Sequence, residues 1–570
     1  MSVDVLVEEY LSTMKEDGEL DKFLPELLTA MGHVILSSPQ KGVRQSGGDL
    51  VSRGKDEDGI AKIFIWVIKC GDIDRAAWSS GEQAVRPTLE SVVDVFLSSN
   101  LSPASRKLPQ KVCIVTNGKV RQEVQQDISG YLASYQQRHG VETDDINGSM
   151  LASWTSKYML DERVLPGTLR SYMRRALSNV ETPEASIEQA RLLVTSLLEA
   201  ARTATGAQKT RQRKVSGHLR AVALFNVILF GWARQSNNLE SPYQIAEFTL
   251  LAAWSLIHAD DWLDKPWVRR LFALYLSHYV TVVTAYHNKL EPYYRTDGAL
   301  GPVLRDSTLV VERVFEEIGR LGTASITLQI LSRSPNGELA GRLAEELADK
   351  LHALLETHAV AEVPCYDRHS TDISCGLTAL LLSGRFERAK VWLHRLAFRL
   401  VQALQSGIYA PLGTDSFDDL VAQRYGQLEM TPELFRVTTL LPTLALWCCE
   451  LGCEAEYKVL QQRVLPLLQE STANIWFADE NYESLLASPN ELQRSGFGTA
   501  VDLPESMSDL HAGLPVPTAE MLKLESLRLP SLVFIASRHW QLQIPHGVPY
   551  VLLRNLLSNQ RSEADVDATT

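Results

Sequence analysis

The sequence predicts an α/β domain at the N-terminal end of the chain, followed by a large all-helical region. Two observations support this fold class. Short apolar runs alternate with helical patterns up to about residue 160, whereas from residue 185 to about residue 530 apolar residues recur at helical spacing between breaks at Pro, Gly and Asn. A chain of 570 residues has room for roughly two to four domains.

The α/β elements follow one another in a regular order. The pattern predicts a helix over residues 20–31, a strand over 32–36, a second strand from Asp49, a hairpin turn over 54–59 and a buried strand over 62–69. It then predicts a helix over 81–97, a strand over 111–116, a helix over 120–138, a short strand from Val141 and a closing segment over 149–158. We therefore expect an α/β sandwich that ends near residue 165.

Four further segments are predicted beyond the α/β domain. They are a basic helical connector over 166–220, an all-α region over 221–530, a helical segment over 531–561 and a disordered tail over 562–570. Residues 384–389 have the composition of a joint between two antiparallel helices, which is compatible with helical-hairpin repeats. No stable period of about 34 residues supports a regular repeat array.

Composition limits the class of protein. The net charge of −13 argues against a chain that binds nucleic acid over its whole surface, so such contacts would come from local basic patches or through a cation. An odd number of cysteines, seven, in apolar surroundings favours reduced thiols. The N-terminus lacks a signal-peptide pattern, and the apolar stretches 221–232 and 248–257 are shorter than the roughly 20 residues that cross a bilayer. We expect a cytoplasmic protein without a membrane anchor.

Asp49 and Lys69 are the first candidates for chemistry. The hairpin between them can bring the start of one strand and the end of the next to the same end of the sheet. An Asp oxygen can hold a hard cation such as Mg²⁺, and a nearby Lys can orient the attacking water and stabilise charge that builds on a phosphate. The alternative is structural, with Asp49 capping a turn and Lys69 at a solvated strand end.

The order of elements around this pair resembles the PD-(D/E)xK restriction-endonuclease-like superfamily, and most closely the branch found in bacterial defence proteins. Gly48-Asp49-Leu50 matches the metal-binding aspartate segment, Lys69 matches the catalytic lysine, and Val115-Thr116-Asn117-Gly118 matches a strand end common in that branch. The resemblance covers roughly residues 20–160. It implies a restriction-endonuclease-like fold, Mg²⁺ or Mn²⁺ as the cofactor and DNA as the substrate.

Val67 departs from the family pattern, which has an acid or Gln two residues before the lysine. Two acids could replace the lost metal ligand: Glu82 at the start of the next helix, where some members carry the displaced acid, and Glu26 on the first helix, where many members carry a further acid. The resemblance therefore implies Asp49, Glu82 and Glu26 as metal ligands, and the same three with Lys69 as catalytic residues. Glu82 would equally suit a helix N-terminus, and Glu26 a solvated helix face.

A basic cluster just past the α/β unit is the predicted nucleic-acid surface. Its members are Arg170, Arg174, Arg175, Lys209, Arg211, Arg213 and Lys214, followed by Arg220. Such patches contact phosphates without reading sequence. An exposed helix face, or contact with acidic helices of the same chain, is the alternative.

A second acidic motif, Asp260-Asp261-Trp262-Leu263-Asp264, resembles the Mg²⁺-diphosphate motif of isoprenoid synthases. Pro266 follows within two residues and places the motif at a helix end. The sequence contains no second Asp-rich partner motif, so a helix terminus or an inter-helix turn is the favoured interpretation.

The sequence leads to two hypotheses about function. The first is a Mg²⁺-dependent DNA endonuclease that acts in bacterial defence against phage, with a helical region that senses, scaffolds or regulates through a partner protein or through self-association. The second is a nuclease fold that has lost catalysis and serves as a scaffold or binding module. Val67 is the best support for the second.

Overall fold

The computed structural model divides the chain into two units, Met1–Ile245 and Ala246–Thr570. It describes residues 3–37, 48–80, 84–94, 105–159, 165, 167–259, 262, 264–301, 307–335, 337–408, 417–427, 436–468, 471–479, 482–514 and 530–556. Asp49 and Lys69 both lie in the first unit.

A five-stranded mixed sheet forms the centre of the first unit. Its strands, in both chain order and spatial order, are β1 (Val34–Ser37), β2 (Leu50–Lys55), β3 (Ala61–Lys69), β4 (Gln110–Thr116) and β5 (Glu142–Ile146). The pairs β1–β2 and β2–β3 are antiparallel, while β3–β4 and β4–β5 are parallel. The predicted α/β class is confirmed for this part of the chain.

Helices of the first unit precede, separate and follow these strands. They are α1 (Val3–Leu11), α2 (Asp21–Ala30), α3 (Val85–Ser91), α4 (Gln122–His139) and α5 (Gly148–Tyr158). A π-helical turn, Glu16–Leu20, lies directly before α2. Helix α1 was not among the predicted elements, and it packs on α5.

Strand β3 is buried on both faces, which explains its continuous apolar run. Ile63, Ile65 and Val67 belong to an apolar cluster that includes residues of α3 and α4. On alternate positions, the Phe64 and Trp66 rings stack on each other, and Trp66 Nε1 donates a hydrogen bond of 2.9 Å to a buried Ser52 hydroxyl. Because Val67 lies in the apolar cluster, core packing as well as catalytic chemistry constrains which residue this position can hold.

Three further helices pack within the first unit. They are α6 (Gly167–Ser178), α7 (Pro183–Arg202) and α8 (Gln208–Gln235), with α6 on α7, α7 on α8, and α8 on α1. Residues 166–220, predicted as a connector, therefore contribute to the same unit as the sheet.

Among the described residues, α8 is the one helix long and apolar enough to cross a membrane by length and composition. Of its most apolar window, 67% is buried inside the protein. Core helices of soluble proteins share this property, and cytoplasmic localisation stays a prediction.

The second unit is mostly helical, as predicted, but it also contains a small sheet. Its main helices after α9 (Glu240–Ala259), which crosses the unit boundary, are α10 (Pro266–Tyr294), α11 (Ser307–Leu331), α12 (Glu338–Thr357), α13 (His369–Leu382), α14 (Phe386–Gln405), α15 (Phe417–Arg424), α16 (Leu440–Leu451), α17 (Glu454–Val459), α18 (Pro489–Arg494), α19 (Met507–Gly513) and α20 (Ser531–Trp540). The joint predicted at 384–389 is confirmed between α13 and α14, where Gly384 has φ +71°. Residues 562–570, the predicted tail, lie outside the described residues.

The prediction of an all-α region from 221 to 530 was wrong for three short strands. These are β6 (Val437–Thr438), β7 (Thr472–Ala478) and β8 (Gly496–Ala500), in the spatial order β6–β7–β8. Glycine hides the β8 signal, because it lacks the side chain on which a strand pattern depends. A Cβ at Gly496 would lie 2.2 Å from the Phe477 carbonyl oxygen, so close strand approach requires glycine there.

Candidate active site

The end of strand β3 brings Asp49 and Lys69 together, as the hairpin predicted. Lys69 is the last residue of β3, and Asp49 comes immediately before β2. The Asp49 amide donates to the Trp66 carbonyl over 3.0 Å, and Asp49 Oδ2 accepts a hydrogen bond of 2.8 Å from the Ile68 amide. These bonds fix the Asp49 carboxylate beside the last residues of β3.

Glu16 is a third member of the site, and sequence reasoning missed it. It begins the π-helical turn before α2, and its carboxylate accepts a hydrogen bond from the Cys70 amide. Burial raises the pKa of both Glu16 and Asp49, and the Lys69 ammonium acts against that rise in each, so it lies near both carboxylates. The structure thus brings two acids and a lysine together at one end of the sheet.

The register of β2 explains why side-chain carboxylates occupy this strand end. The β2–β3 register runs from Lys55 opposite Ala61 to Leu50 opposite Trp66, so β3 extends past its antiparallel partner. Buried backbone amides need acceptors, and the amides of Ile68 and Cys70 take theirs from Asp49 and Glu16. Each carboxylate therefore has one structural bond and a second oxygen to engage another group.

Burial raises the pKa of both carboxyls above their ordinary values. For Asp49, burial outweighs the Ile68 amide and the Lys69 ammonium, which act to lower the pKa. For Glu16, burial is again the largest cause and the Asp49 charge adds to it, against the Lys69 ammonium and the Cys70 amide. A cation bound between the two acids would offset both the burial and their mutual repulsion.

The position of Val67 supplies no metal ligand. Its side chain is fully buried in the apolar cluster, where an ionised acid would be costly. In the described part of the chain, no three His, Cys, Asp or Glu side chains are grouped so as to hold a metal ion. The available donors are the two carboxylates of Asp49 and Glu16. Mg²⁺ is often bound by one or two carboxylates together with waters and substrate phosphate, so these residues fit such an ion.

The segment Val115-Thr116-Asn117-Gly118 holds this arrangement together. Buried Asn117 donates from Nδ2 to the carbonyls of Leu11 (2.8 Å) and Met14 (3.0 Å), and its Oδ1 accepts from the Gly71 amide (2.7 Å). A Cβ at Gly118 would lie 2.3 Å from the Gly71 carbonyl carbon, so glycine is required for this approach. One side chain therefore joins the end of α1, next to Glu16, with the turn that follows Lys69.

Of the two acids predicted to complete the site, Glu26 is the one among the described residues. Glu26 pairs with Arg170 at 2.8 Å and lines a separate cavity, so the prediction that placed it at the metal is replaced by Glu16. Glu82 lies outside the described residues. Glu16 escaped prediction because no spacing rule links an inter-helix turn to strands β2 and β3, and only the tertiary packing of α1 brings it there.

The predicted basic surface is partly used for contacts within the first unit. Arg170 donates to the Leu165 carbonyl as well as to Glu26, and Lys214 donates to the Thr205 carbonyl at 3.0 Å. Arg213 donates to the Met14 carbonyl at 3.0 Å and to the Thr13 carbonyl at 3.4 Å. The side chains of Arg174, Arg175 and Lys209 are exposed, and that of Arg211 is half-buried.

The second acidic motif shows no metal geometry in its described part. Asp264 is exposed and pairs with Arg269 at 3.1 Å, directly before α10 begins at Pro266. Asp260 and Asp261 lie outside the described residues. The predicted helix terminus agrees with the position of Pro266.

Comparison of the chain with protein-family models, with curated proteins and with solved structures finds no match.

Proposed function

We propose that the first unit is a metal-dependent nuclease that hydrolyses DNA phosphodiesters, with Asp49, Glu16 and Lys69 as its catalytic residues. One observation carries the proposal: two half-buried carboxylates, both with raised pKa values, meet a lysine ammonium at one end of the sheet. Perturbed acids beside a cation are typical of sites that bind metals or transfer protons. The resemblance in the order of elements supports phosphodiester hydrolysis as the reaction class.

Each residue has a role that follows from its chemistry. Asp49 and Glu16 would hold Mg²⁺ or Mn²⁺, which when bound supplies a Lewis acid for a phosphate oxygen and lowers the pKa of a bound water. Lys69 would place its ammonium against the scissile phosphate or the attacking water and stabilise the negative charge of the transition state. Asn117 acts as a positioning residue, because it fixes the segments that carry Glu16 and Lys69.

The biological role belongs to the same proposal. By resemblance to nucleases fused to helical regions, the protein would act in the cytoplasm against phage or other foreign DNA. The helical second unit would sense or regulate, through a partner protein or through self-association. Control is expected because uncontrolled cutting of DNA would be toxic to the cell that makes the enzyme.

The experiment is cleavage of plasmid, linear and single-stranded DNA with Mg²⁺ or Mn²⁺. Asp49→Asn, Glu16→Gln and Lys69→Met should each reduce the rate about 100-fold or more. Glu26→Gln is the matched control, an acid of the same unit that pairs with Arg170 instead, and it should retain the wild-type rate within about threefold. Cutting that depends on Glu26 but not on Glu16 would refute this assignment of the site.

A second candidate is a nuclease fold without catalysis, acting as a scaffold or binding module. The observation that favours it is the fully buried Val67 in place of an acid, with no grouping of three metal-ligating side chains in the described residues. Titration with Mn²⁺, followed by electron paramagnetic resonance, separates the two. Binding that is lost in both Asp49→Asn and Glu16→Gln supports the enzyme, and the absence of site-dependent binding and of cutting supports the scaffold.

A further inference from the structure

A cavity of about 750 Å³ lies in the first unit, lined by residues from α1 to α2 and from α6 to α8. Its volume is in the range typical of small-molecule sites, roughly 300–1,000 Å³. Neither Asp49 nor Lys69 lines it. Five cationic residues do: Lys15, Lys22, Arg170, Arg213 and Lys214.

The charge of this cavity is positive, against the trend of the chain. Its acids are Glu19 and Glu26, and Glu26 is paired with Arg170, which leaves four cationic residues facing one acid. His218 also lines the cavity, and burial lowers its pKa against the effect of the Glu19 carboxylate. In a chain of net charge −13, such a concentration of cations favours an anionic ligand.

The rest of the lining is partly apolar and also includes four threonines and Tyr10. Phe23, Leu165, Leu197, Ala200 and Ala221 contribute to the wall, and Phe23 and Leu165 are buried. A ligand that satisfies both kinds of lining carries negative charge together with a flat or apolar body.

The cavity and the active site share the segment that leads to Glu16. Met14 and Lys15 line the cavity, and Glu16 is the next residue. The Met14 carbonyl accepts hydrogen bonds from Arg213 (3.0 Å), from Asn117 (3.0 Å) and from the Cys70 thiol (3.1 Å). Arg213 thus contacts the cavity, the Met14 carbonyl and the residue after Lys69, from which its guanidinium is 3.8 Å away.

We propose that this cavity binds a nucleotide, with its phosphates on the lysines and arginines and its base on the apolar wall. A phosphate that draws Arg213 away from the Met14 carbonyl changes the support of Glu16. The bound nucleotide therefore acts as an effector of the active site. This regulatory step rests on the proposed nuclease function, whereas nucleotide binding does not.

Isothermal titration of the full chain with ATP and GTP in EDTA tests the binding step. Lys22→Glu combined with Lys214→Glu should weaken binding at least tenfold. Lys209→Glu is the matched control, because Lys209 lies on α8 with Lys214 but outside the cavity, and binding should change less than twofold. The Lys22→Gln, Lys214→Gln variant repeats the test without charge reversal, and circular dichroism confirms folding.

Three outcomes would overturn the binding proposal. They are no binding of either nucleotide by the wild type, equal affinity in the cavity variants, and tighter binding of a 12-residue single-stranded oligonucleotide that depends on the same lysines. The last would identify a path for a nucleic-acid strand. Inorganic phosphate should bind more weakly than ATP, and equal affinity would refute a site for the base.

The regulatory step is measured separately. A saturating nucleotide should change the wild-type cleavage rate more than threefold and should leave the rate of the double lysine variant within 1.5-fold of its own value without nucleotide. The inactive Asp49→Asn variant should still bind nucleotide, so a failed nuclease proposal would not be mistaken for a failed nucleotide site. Wild-type binding without any change in cleavage rate would reject the effector role.

Discussion

The two ends of strand β3 each carry a lysine, and the two lysines have opposite surroundings. Lys62 Nζ has three carboxylate partners at 2.7–2.8 Å, those of Asp56, Asp58 and Glu142, and its side chain is 3% exposed. At the other end, the carboxylates near Lys69 bond to backbone amides of the strand instead. The first lysine is neutralised by its neighbours, while the second faces acids that have oxygens left for another group.

The acids at the two ends of β3 also differ in the direction of their pKa shifts. Burial acts to raise the pKa of Asp56, but hydrogen bonds from Lys62, from the Glu57 amide and from Lys111 lower it to about 2. Burial raises the pKa of Asp49 and is not overcome. The charges around Lys62 therefore stabilise the fold, whereas those around Lys69 reduce its stability. Functional sites typically contain charges that reduce stability, as those around Lys69 do.

The largest expected effect separates the two lysines by activity. Lys69→Met should reduce DNA cleavage about 100-fold or more, because it removes the ammonium proposed to stabilise transition-state charge beside the metal. Lys62→Met should keep wild-type cleavage per folded molecule. The measurement is the cleavage rate in Mg²⁺, corrected for the folded fraction by circular dichroism. Equal losses in both variants would remove the functional difference between the ends.

Loss of the Asn117 hydrogen bonds, which support the Lys69 end of β3, should have the next largest effect. Asn117→Ala removes three hydrogen bonds from a buried side chain, so unfolding in urea should show a loss of about 3 kcal/mol. Cleavage should fall as well, because Glu16 and the turn after Lys69 lose their common support. Asn179→Ala, at an exposed helix end, is the control and should stay within about 0.5 kcal/mol of the wild type.

Loss of the lysine at the other end should cost stability alone. Lys62→Met leaves Asp56 with Lys111, at 3.2 Å, as its remaining cationic partner, and urea unfolding should show a loss of about 1–2 kcal/mol. The value is at the low end for a buried ion pair because Asp58 and Glu142 are about two-fifths exposed and can be hydrated. Lys157→Met, an exposed lysine of α5, should change stability by less than about 0.5 kcal/mol.

Substitution of Asp49 or Glu16 should increase stability, in contrast to the loss expected for Lys62→Met. Asp49→Asn and Glu16→Gln remove charges that burial disfavours, so each should stabilise the metal-free protein, by about 0.5–2 kcal/mol if they behave as other stabilising substitutions do. Thermal melts in EDTA at pH 7 provide the measurement. A loss of stability in both variants would show that these carboxylates are structural bonds to the Ile68 and Cys70 amides and little more.

The smallest effect, on the pH dependence of stability, also distinguishes the ends. Asp56 has a lowered pKa, so its contribution is present above the ordinary pKa near 3.8 and is lost as the pH falls towards about 2. Asp49 and Glu16 have raised pKa values, so stability decreases as the pH rises from their ordinary values of 3.8 and 4.5 through the raised ones. Asp56→Asn should reduce the loss of stability at acid pH. Asp49→Asn should reduce the decrease in stability that follows as the pH rises.

Much of the first unit could be predicted from sequence because its signals are local. The strand over Lys62–Lys69, the strand ending at Thr116 and the hairpin between Asp49 and Lys69 all follow from alternation and turn residues. Glu16 could not be predicted, since it reaches β3 only through the packing of α1. Strand β8 was missed for the opposite reason: the glycines that close strand approach requires are residues that weaken a strand pattern.

The three donors on the Met14 carbonyl have a consequence for synthesis of the chain. Arg213 follows Cys70 by 143 residues, so at about 5–20 residues per second it leaves the ribosome roughly 7–30 seconds after the strand that carries Lys69. Until then the segment before Glu16 lacks one of its three supports. A nascent chain would therefore have the strand that carries Lys69 well before Arg213 can complete the support of the Met14 carbonyl.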